Sequence, residues 1–69
     1  RELGRAIDAF LDTCSRETRI IFLRRYWFGD SVHDIARQMG LTTGAVTTRL
    51  SRTRSQLRNY LIQEGYENE

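Results

Sequence analysis

Apolar residues recur along the whole chain at the spacing of amphipathic α-helices. In the last apolar segment, Val46, Leu50, Leu57 and Leu61 fall on one face of a helix. The pattern predicts four helices, over residues 2–13, 15–28, 32–39 and 43–63. No stretch alternates apolar and polar residues as a half-buried strand would. We therefore predict an all-α, four-helix domain that occupies residues 1–69 and ends in a long helix.

Polar caps and glycines mark the predicted helix ends. The expected N-caps of the last three helices are Ser15, Ser31 and either Thr42 or Thr43. Asp34 is expected to complete a capping box with Ser31. A glycine follows each of these helices, as is common at helix C-termini: Gly29, Gly40 and Gly65. The remaining residues 65–69 are expected to form a tail that is loose from residue 67 onward.

Residues 31–54 have the spacing of a helix-turn-helix, in which two helices cross steeply at a tight bend. Ala36 is small enough for the crossing point, and Gly40, four residues later, tolerates the positive φ that the bend requires. Leu41 is expected to fill the gap under the bend, and Val46 to dock the second helix on the first. The last helix is therefore expected to present its polar face outward, as a recognition helix does.

Positive charge is concentrated in the last predicted helix. The net charge of the chain is only +2, but residues 42–63 contain four arginines and no acidic residue. Residues 1–41 contain seven arginines and six acidic residues, so that part of the chain is nearly balanced. A local basic stripe is typical of proteins that bind a polyanion. Together with the helix-turn-helix, it indicates double-stranded DNA as the partner.

The polar face of the last helix combines short hydroxyl side chains with arginines, which suits the DNA major groove. The residues opposite the core are Thr48, Ser51, Arg52 and Ser55, with Thr47 and Arg58 at the edges of this face. Short hydroxyl groups let a helix approach base edges closely, and Arg52 can donate two hydrogen bonds to a guanine. Arg49 and Arg54 flank the core and are placed for phosphates, as are the N-terminal amides at Thr43 and Gly44.

An aromatic cluster ends the second predicted helix, at Tyr26, Trp27 and Phe28. We expect one or two of these rings to pack in the core. Three adjacent helical residues cannot all face one core, so at least one ring is expected to be exposed, where a partner protein can dock. The preceding run Ile20–Leu23 is apolar on more than one face, which predicts that the second helix is central.

Three stretches of the chain, residues 19–26, 31–36 and 44–54, are similar to one protein family. They resemble region 4 of bacterial sigma factors, especially of the extracytoplasmic-function group. The more specific part of the resemblance is the arginine pair Arg52 and Arg54 before Leu57. At Thr47 the family often has lysine or arginine, so the chain departs from the family there.

The resemblance implies that the domain binds the minus-thirty-five promoter element and the β flap of RNA polymerase core, in the cytoplasm of a bacterium. An anti-sigma protein is a further expected partner, and the aromatic cluster is the expected docking place. Carried over by position, the base contacts would be Thr47, Thr48, Ser51 and Arg52. The full set of expected phosphate contacts is Thr43, Gly44, Arg49, Arg54, Ser55 and Arg58.

Two other functions are consistent with the same pattern. The output domain of a response regulator also builds four helices around such a turn, but the arginine pair before Leu57 favours a sigma factor. A regulator would bind a paired, symmetric site, whereas a sigma domain would bind one copy with polymerase. The second alternative is a protein-interaction module that kept the fold and lost DNA binding, which the neutral Thr47 makes worth testing.

The composition argues against several other classes of protein. One cysteine, Cys14, and one histidine, His33, cannot supply a metal cluster. No spaced carboxylate pair is evident, so we expect no enzyme, no cofactor and no small-molecule substrate. No apolar run approaches the roughly 20 residues that span a membrane. Because the chain begins at Arg1 and its only methionine is Met39, we expect it to be part of a longer protein.

Overall fold

The computed structural model describes residues 2–66, which form four α-helices and no strand. Their bounds are α1 Glu2–Thr13, α2 Arg16–Tyr26, α3 Val32–Met39 and α4 Thr43–Gln63. The prediction of an all-α, four-helix domain is thus confirmed. Over the described residues, no helix is both long enough and apolar enough to cross a bilayer. The loose tail predicted from residue 67 onward lies outside the described residues.

Helix α2 ends at Tyr26, two residues earlier than the predicted end at Phe28. The Trp27 amide still donates to the Leu23 carbonyl at 2.9 Å, but Trp27 is the C-cap and the chain then leaves the helix. The Phe28 amide donates to the same carbonyl at 3.1 Å, which is the wider hydrogen bond of an unwinding helix end.

Two arginines in the last turn of α2 hold the chain just after that helix. The Arg24 guanidinium donates to the Asp30 carboxylate at 3.0 Å, and Arg25 donates to the Asp30 carbonyl at 3.0 Å. Gly29 permits the reversal because it adopts a φ of 76°, which a residue with a side chain rarely takes. These contacts hold the chain that follows α2 against the last turn of that helix.

The caps of α2, α3 and α4 are side-chain oxygens that accept a hydrogen bond from the amide three residues later. The three caps are Ser15, Ser31 and Thr42, with oxygen–nitrogen distances of 3.1, 3.0 and 3.0 Å. Thr42 is therefore the cap of α4, and Thr43 is its first helical residue. The predicted capping box is only half formed, because the Asp34 carboxylate accepts a hydrogen bond from Arg37 at 2.7 Å instead.

The core consists of two clusters, and α2 contributes to both. The first, here called the helix-turn-helix core, is aliphatic and consists of Ile21, Ile35, Ala36, Val46 and Leu50. The second, here called the aromatic core, is built on Phe10, Leu11 and Phe22, with Leu57 and Tyr60 packed against it. Neighbouring residues of α2, Ile21 and Phe22, point into different clusters. A part in both clusters is what we expected of a central helix, and α4 shares it, with Val46 and Leu50 in one cluster and Leu57 and Tyr60 against the other.

Candidate nucleic-acid interface

The bend between α3 and α4 has the geometry of a helix-turn-helix. Gly40 is in the left-handed region, at φ 70° and ψ 32°, and its amide donates to the Ala36 carbonyl. The Leu41 amide donates to the same carbonyl at 2.9 Å, and the Leu41 side chain packs half-buried against the helix-turn-helix core. Ala36 is buried at the crossing, and Val46 is completely buried. The bend expected at Gly40 is therefore present.

Helix α4 is buried along one face and exposed along the other. Val46, Leu50 and Thr53 point into the protein, and the Thr53 hydroxyl donates to the Arg49 carbonyl at 2.8 Å. On the opposite face, four exposed residues form what we call the outer ridge: Thr47, Thr48, Ser51 and Arg52. The outer ridge projects into solvent and is not covered by any described part of the chain, so it is free for a partner.

Two arginines flank the outer ridge, and α2 holds each of them. Arg49 Nη1 donates to Glu17 Oε1 at 3.2 Å and to Thr18 Oγ1 at 3.0 Å. Arg54 Nη1 donates to the Tyr26 hydroxyl at 2.5 Å. Since Glu17 and Thr18 lie in the first turn of α2 and Tyr26 is its last residue, α2 passes beneath α4 and reaches both of its flanks.

The other polar residues of α4 are directed to solvent. Arg52 and Arg58 are exposed, and between residues 2 and 66 their side chains make no ion pair. Ser55 is also exposed. At the start of α4, Thr43 and Gly44 are exposed, and the nearest atom to a side chain added at Gly44 is Thr42 Oγ1 at 4.0 Å. The backbone there is open to close approach by a ligand.

The residues that hold the flanking arginines were not predicted from the sequence. Glu17 is 32 residues from Arg49, and Tyr26 is 28 residues from Arg54. Contacts over such separations depend on the crossing of α2 and α4, and no local pattern in the sequence signals them. The structure therefore adds Glu17, Thr18 and Tyr26 to the residues that influence the interface.

The aromatic residues at the end of α2 are more exposed than expected. Tyr26, Trp27 and Phe28 retain 47%, 77% and 70% of their accessible surface. The expectation that one or two of these rings pack in the core was wrong, because α2 ends at Tyr26 and the next two residues leave the helix. The Tyr26 ring packs on Phe22, with ring centroids 4.8 Å apart, and its hydroxyl accepts from Arg54.

An apolar groove of about 480 Å³ lies beside these aromatic residues, between α1, α2 and the C-terminal half of α4. We call this cavity the apolar groove. The apolar residues that line it are Ile7, Leu11, Phe22, Leu23, Trp27 and Leu57. Exposed apolar surface of this kind is typical of sites where another protein docks. The contribution of α1 was not expected from the sequence, because it depends on how α1 packs.

The single cysteine lies away from the outer ridge, at the junction of α1 and α2. Cys14 is half-buried, and its thiol donates to the Phe10 carbonyl at 3.6 Å. Burial raises the pKa of the Cys14 thiol, and the nearby Arg19 guanidinium and Thr13 hydroxyl oppose this shift without reversing it. The thiol is therefore neutral at physiological pH, which fits a packing residue.

Comparison with known protein families gives one assignment. The family described as sigma-70, region 4, matches residues 4–57, which cover most of α1, all of α2 and α3, and most of α4. No protein with a curated description matches the chain significantly. The matched range includes the bend at Gly40 and the whole outer ridge. The chain therefore belongs to the sigma-70 region 4 family, whose members bind promoter DNA and contact RNA polymerase.

Proposed function

We propose that the chain recognises the minus-thirty-five promoter element as region 4 of an extracytoplasmic-function sigma factor, by inserting α4 into the major groove. The observation that supports this most is the outer ridge, which is exposed over its whole length while the opposite face of α4 is buried. The B-DNA major groove is about 12 Å wide and admits one α-helix. A free ridge of short hydroxyls with one arginine suits that space.

The outer ridge supplies the proposed base contacts. Arg52 has a guanidinium that can donate to both O6 and N7 of a guanine, the commonest specific contact in DNA complexes. Thr47, Thr48 and Ser51 are short, so the backbone of α4 can approach the base edges, and their hydroxyls can donate or accept. Arg52 is thus the principal determinant of sequence preference in this proposal.

The residues around the outer ridge supply the proposed phosphate contacts, which fix the position of α4 without reading sequence. Arg49 and Arg54 lie on the two flanks, and the exposed start of α4 directs backbone amides outward, where a phosphate is favoured by the helix dipole. The proposed set is Thr43, Gly44, Arg49, Arg54, Ser55 and Arg58.

We further propose that the apolar groove and the exposed rings of Trp27 and Phe28 contact the β flap of RNA polymerase, and that an anti-sigma protein would compete for the same surface. Tryptophan is one of the residue types enriched among those that dominate binding energy in protein interfaces. None of the residues that line the apolar groove belongs to the outer ridge, so the proposal gives the two partners different surfaces.

The two alternatives stand differently. The family match favours a sigma factor over the output domain of a response regulator, because the match is to sigma-70 region 4. The second alternative is a sigma-like module whose outer ridge does not bind DNA. The neutral side chain of Thr47 is the reason to consider this alternative. A direct test of sequence preference distinguishes this alternative from our proposal.

The test is selection of promoters by polymerase core reconstituted with the sigma factor that contains this chain, from templates randomised over the upstream hexamer. We expect one hexamer to be enriched. Arg52→Ala should lose discrimination at a single base pair, a change of about 1–3 kcal/mol. The matched control Arg58→Ala should weaken binding to all sequences alike and reduce the salt slope by about one unit.

Two results would contradict the proposal. If Arg52→Ala retained the full preference of the wild type at every position of the hexamer, Arg52 would not read a base. If no hexamer were enriched although the chain still bound polymerase core, the interaction-module alternative would be correct.

A further inference from the structure

We propose that Glu17 competes with the DNA backbone for Arg49 and thereby lowers the affinity of the chain for duplex DNA. This inference rests on the proposed function, in which Arg49 contacts a phosphate. Glu17 lies on α2, outside the helix-turn-helix, and its carboxylate reaches Arg49 on the flank of α4. In the absence of DNA, the Glu17 carboxylate occupies the guanidinium of Arg49 to which a phosphate would bind.

The evidence is a difference between the two flanking arginines. Arg49 donates to a carboxylate, so its positive charge is neutralised within the chain. Arg54 donates to the neutral hydroxyl of Tyr26, so its charge is undiminished. The two arginines occupy comparable positions beside the outer ridge, but only one of them must give up an anionic partner when DNA binds.

The physical basis is that carboxylate and phosphate oxygens compete for the same guanidinium donors. The side chains of Arg49 and Glu17 are 35% and 46% exposed, so their ion pair is partly solvated and weak enough to exchange. When a phosphate takes Arg49, the Glu17 carboxylate is left close to another anion. Both the lost ion pair and this repulsion oppose the binding of DNA.

Thr18 allows the charge of Glu17 to be changed without releasing Arg49. Arg49 Nη1 also donates to Thr18 Oγ1 at 3.0 Å, and that hydroxyl is 3.0 Å from the oxygen of the Ser15 cap. In a Glu17→Gln variant the amide oxygen can still accept from Arg49, and Thr18 still anchors it. The variant therefore removes the negative charge and retains the geometry.

Glu17 also has a structural effect, which the test must separate from competition. As the acidic residue in the first turn of α2, it interacts favourably with the helix dipole. Its removal is therefore expected to lower the stability of the chain slightly. The salt dependence of DNA binding is a readout that a small loss of stability does not change, because it counts the ions released on binding.

The experiment measures duplex binding by fluorescence anisotropy over a series of salt concentrations, for the wild type, Glu17→Gln, Arg49→Ala and the double variant. For Glu17→Gln we expect about two- to fivefold tighter binding at low salt, the range that an exposed ion pair accounts for. The plot of log affinity against log salt should become steeper by up to about 0.9, the value for one phosphate, because Glu17 no longer offsets the charge that Arg49 brings to it. In the Arg49→Ala background, Glu17→Gln should have much less effect.

Asp12→Asn is the matched control, because it removes the same charge from an exposed position on α1. Asp12 makes no ion pair with any residue in the range 2–66. A gain equal to that of Glu17→Gln would overturn the inference, because net charge alone would then explain it. An unchanged or weaker affinity of Glu17→Gln would also overturn the inference. In that case the proposed function would still stand, provided that the wild type bound the duplex. If no variant bound any duplex, the proposed function would fail and this inference with it.

Discussion

The two halves of the molecule, one around each core cluster, differ in how completely they cover their apolar residues. In the helix-turn-helix core, Ile21, Ile35 and Val46 are completely buried, and the outer surface of this half is the outer ridge. The aromatic core is also buried at its centre, but exposed apolar residues and the apolar groove border it. The exposed residues in and around this half include Trp27 and Ile62.

This difference indicates which kind of partner each half can bind. A half that is closed around its own core and shows hydroxyls and arginines outward suits a polyanion, because its contacts are hydrogen bonds and charge interactions. A half that leaves apolar surface uncovered suits a protein, because burial of that surface provides the driving force. Helix α2 belongs to both halves, since Ile21 and Phe22 lie in different clusters.

The largest expected effect is a loss of stability in the half around the helix-turn-helix core. Ile35→Ala should reduce the free energy of unfolding by about 2–5 kcal/mol, since it removes buried methyl groups and leaves a cavity between α3 and α4. The measurement is urea unfolding followed by circular dichroism. Ile62→Ala is the matched control, because Ile62 is 42% exposed and should lose much less. Equal losses in the two variants would contradict the distinction between the halves.

The next largest effect is a loss of polymerase binding in the half around the aromatic core. Trp27→Ala should weaken binding to polymerase core by about 2 kcal/mol or more, as expected for an exposed anchor residue, and should leave duplex affinity unchanged. Because Trp27 is 77% exposed, the free energy of unfolding should change by no more than about 0.5 kcal/mol. Polymerase binding and duplex binding are measured on the same preparation. A loss of duplex affinity with unchanged polymerase binding would reverse the assignment of the two surfaces.

The smallest expected effect is a change in the free energy of unfolding at the bend that orients the outer ridge. Gly40→Ala should cost about 1–2 kcal/mol, because an alanine is strained at a φ of 70°. Among residues 2–66, no atom beyond the two adjoining residues lies within 4 Å of the added methyl group, so the cost should come from the backbone alone. Gly44→Ala is the contrasting control, since Gly44 is helical and the change should stabilise the chain by up to about 1 kcal/mol. Thermal unfolding of the two variants gives opposite shifts if the bend is as described.

Those parts of the fold that depend on local chemistry could be predicted from the sequence. The helix spacing, the Ser15 and Ser31 caps and the glycine at the bend are properties of short segments, and the structure has all of them. The end of α2 was predicted two residues too late, because the chain already leaves the helix after Tyr26 on its way to the positive-φ residue Gly29. A helix-period pattern alone extends through such a turn.

For the candidate site, the sequence predicted which face of α4 is exposed but not what holds its arginines. The exposed face follows from periodicity within one helix, whereas the contacts of Arg49 and Arg54 depend on the crossing with α2. The exposure of Trp27 and Phe28 was underestimated for a different reason, because it depends on where α2 ends. The assignments to bases and phosphates remain predictions.

The central claim is that the outer ridge is the surface that contacts DNA, and chemical-shift mapping tests it most directly. The isotope-labelled chain is titrated with a duplex containing the selected promoter element, and the signals of each residue are followed. We expect the largest shifts in Thr47, Thr48, Ser51 and Arg52 and at the start of α4, with the Trp27 indole unchanged. Large shifts at the Trp27 indole and the apolar groove, with an unchanged outer ridge, would contradict the account.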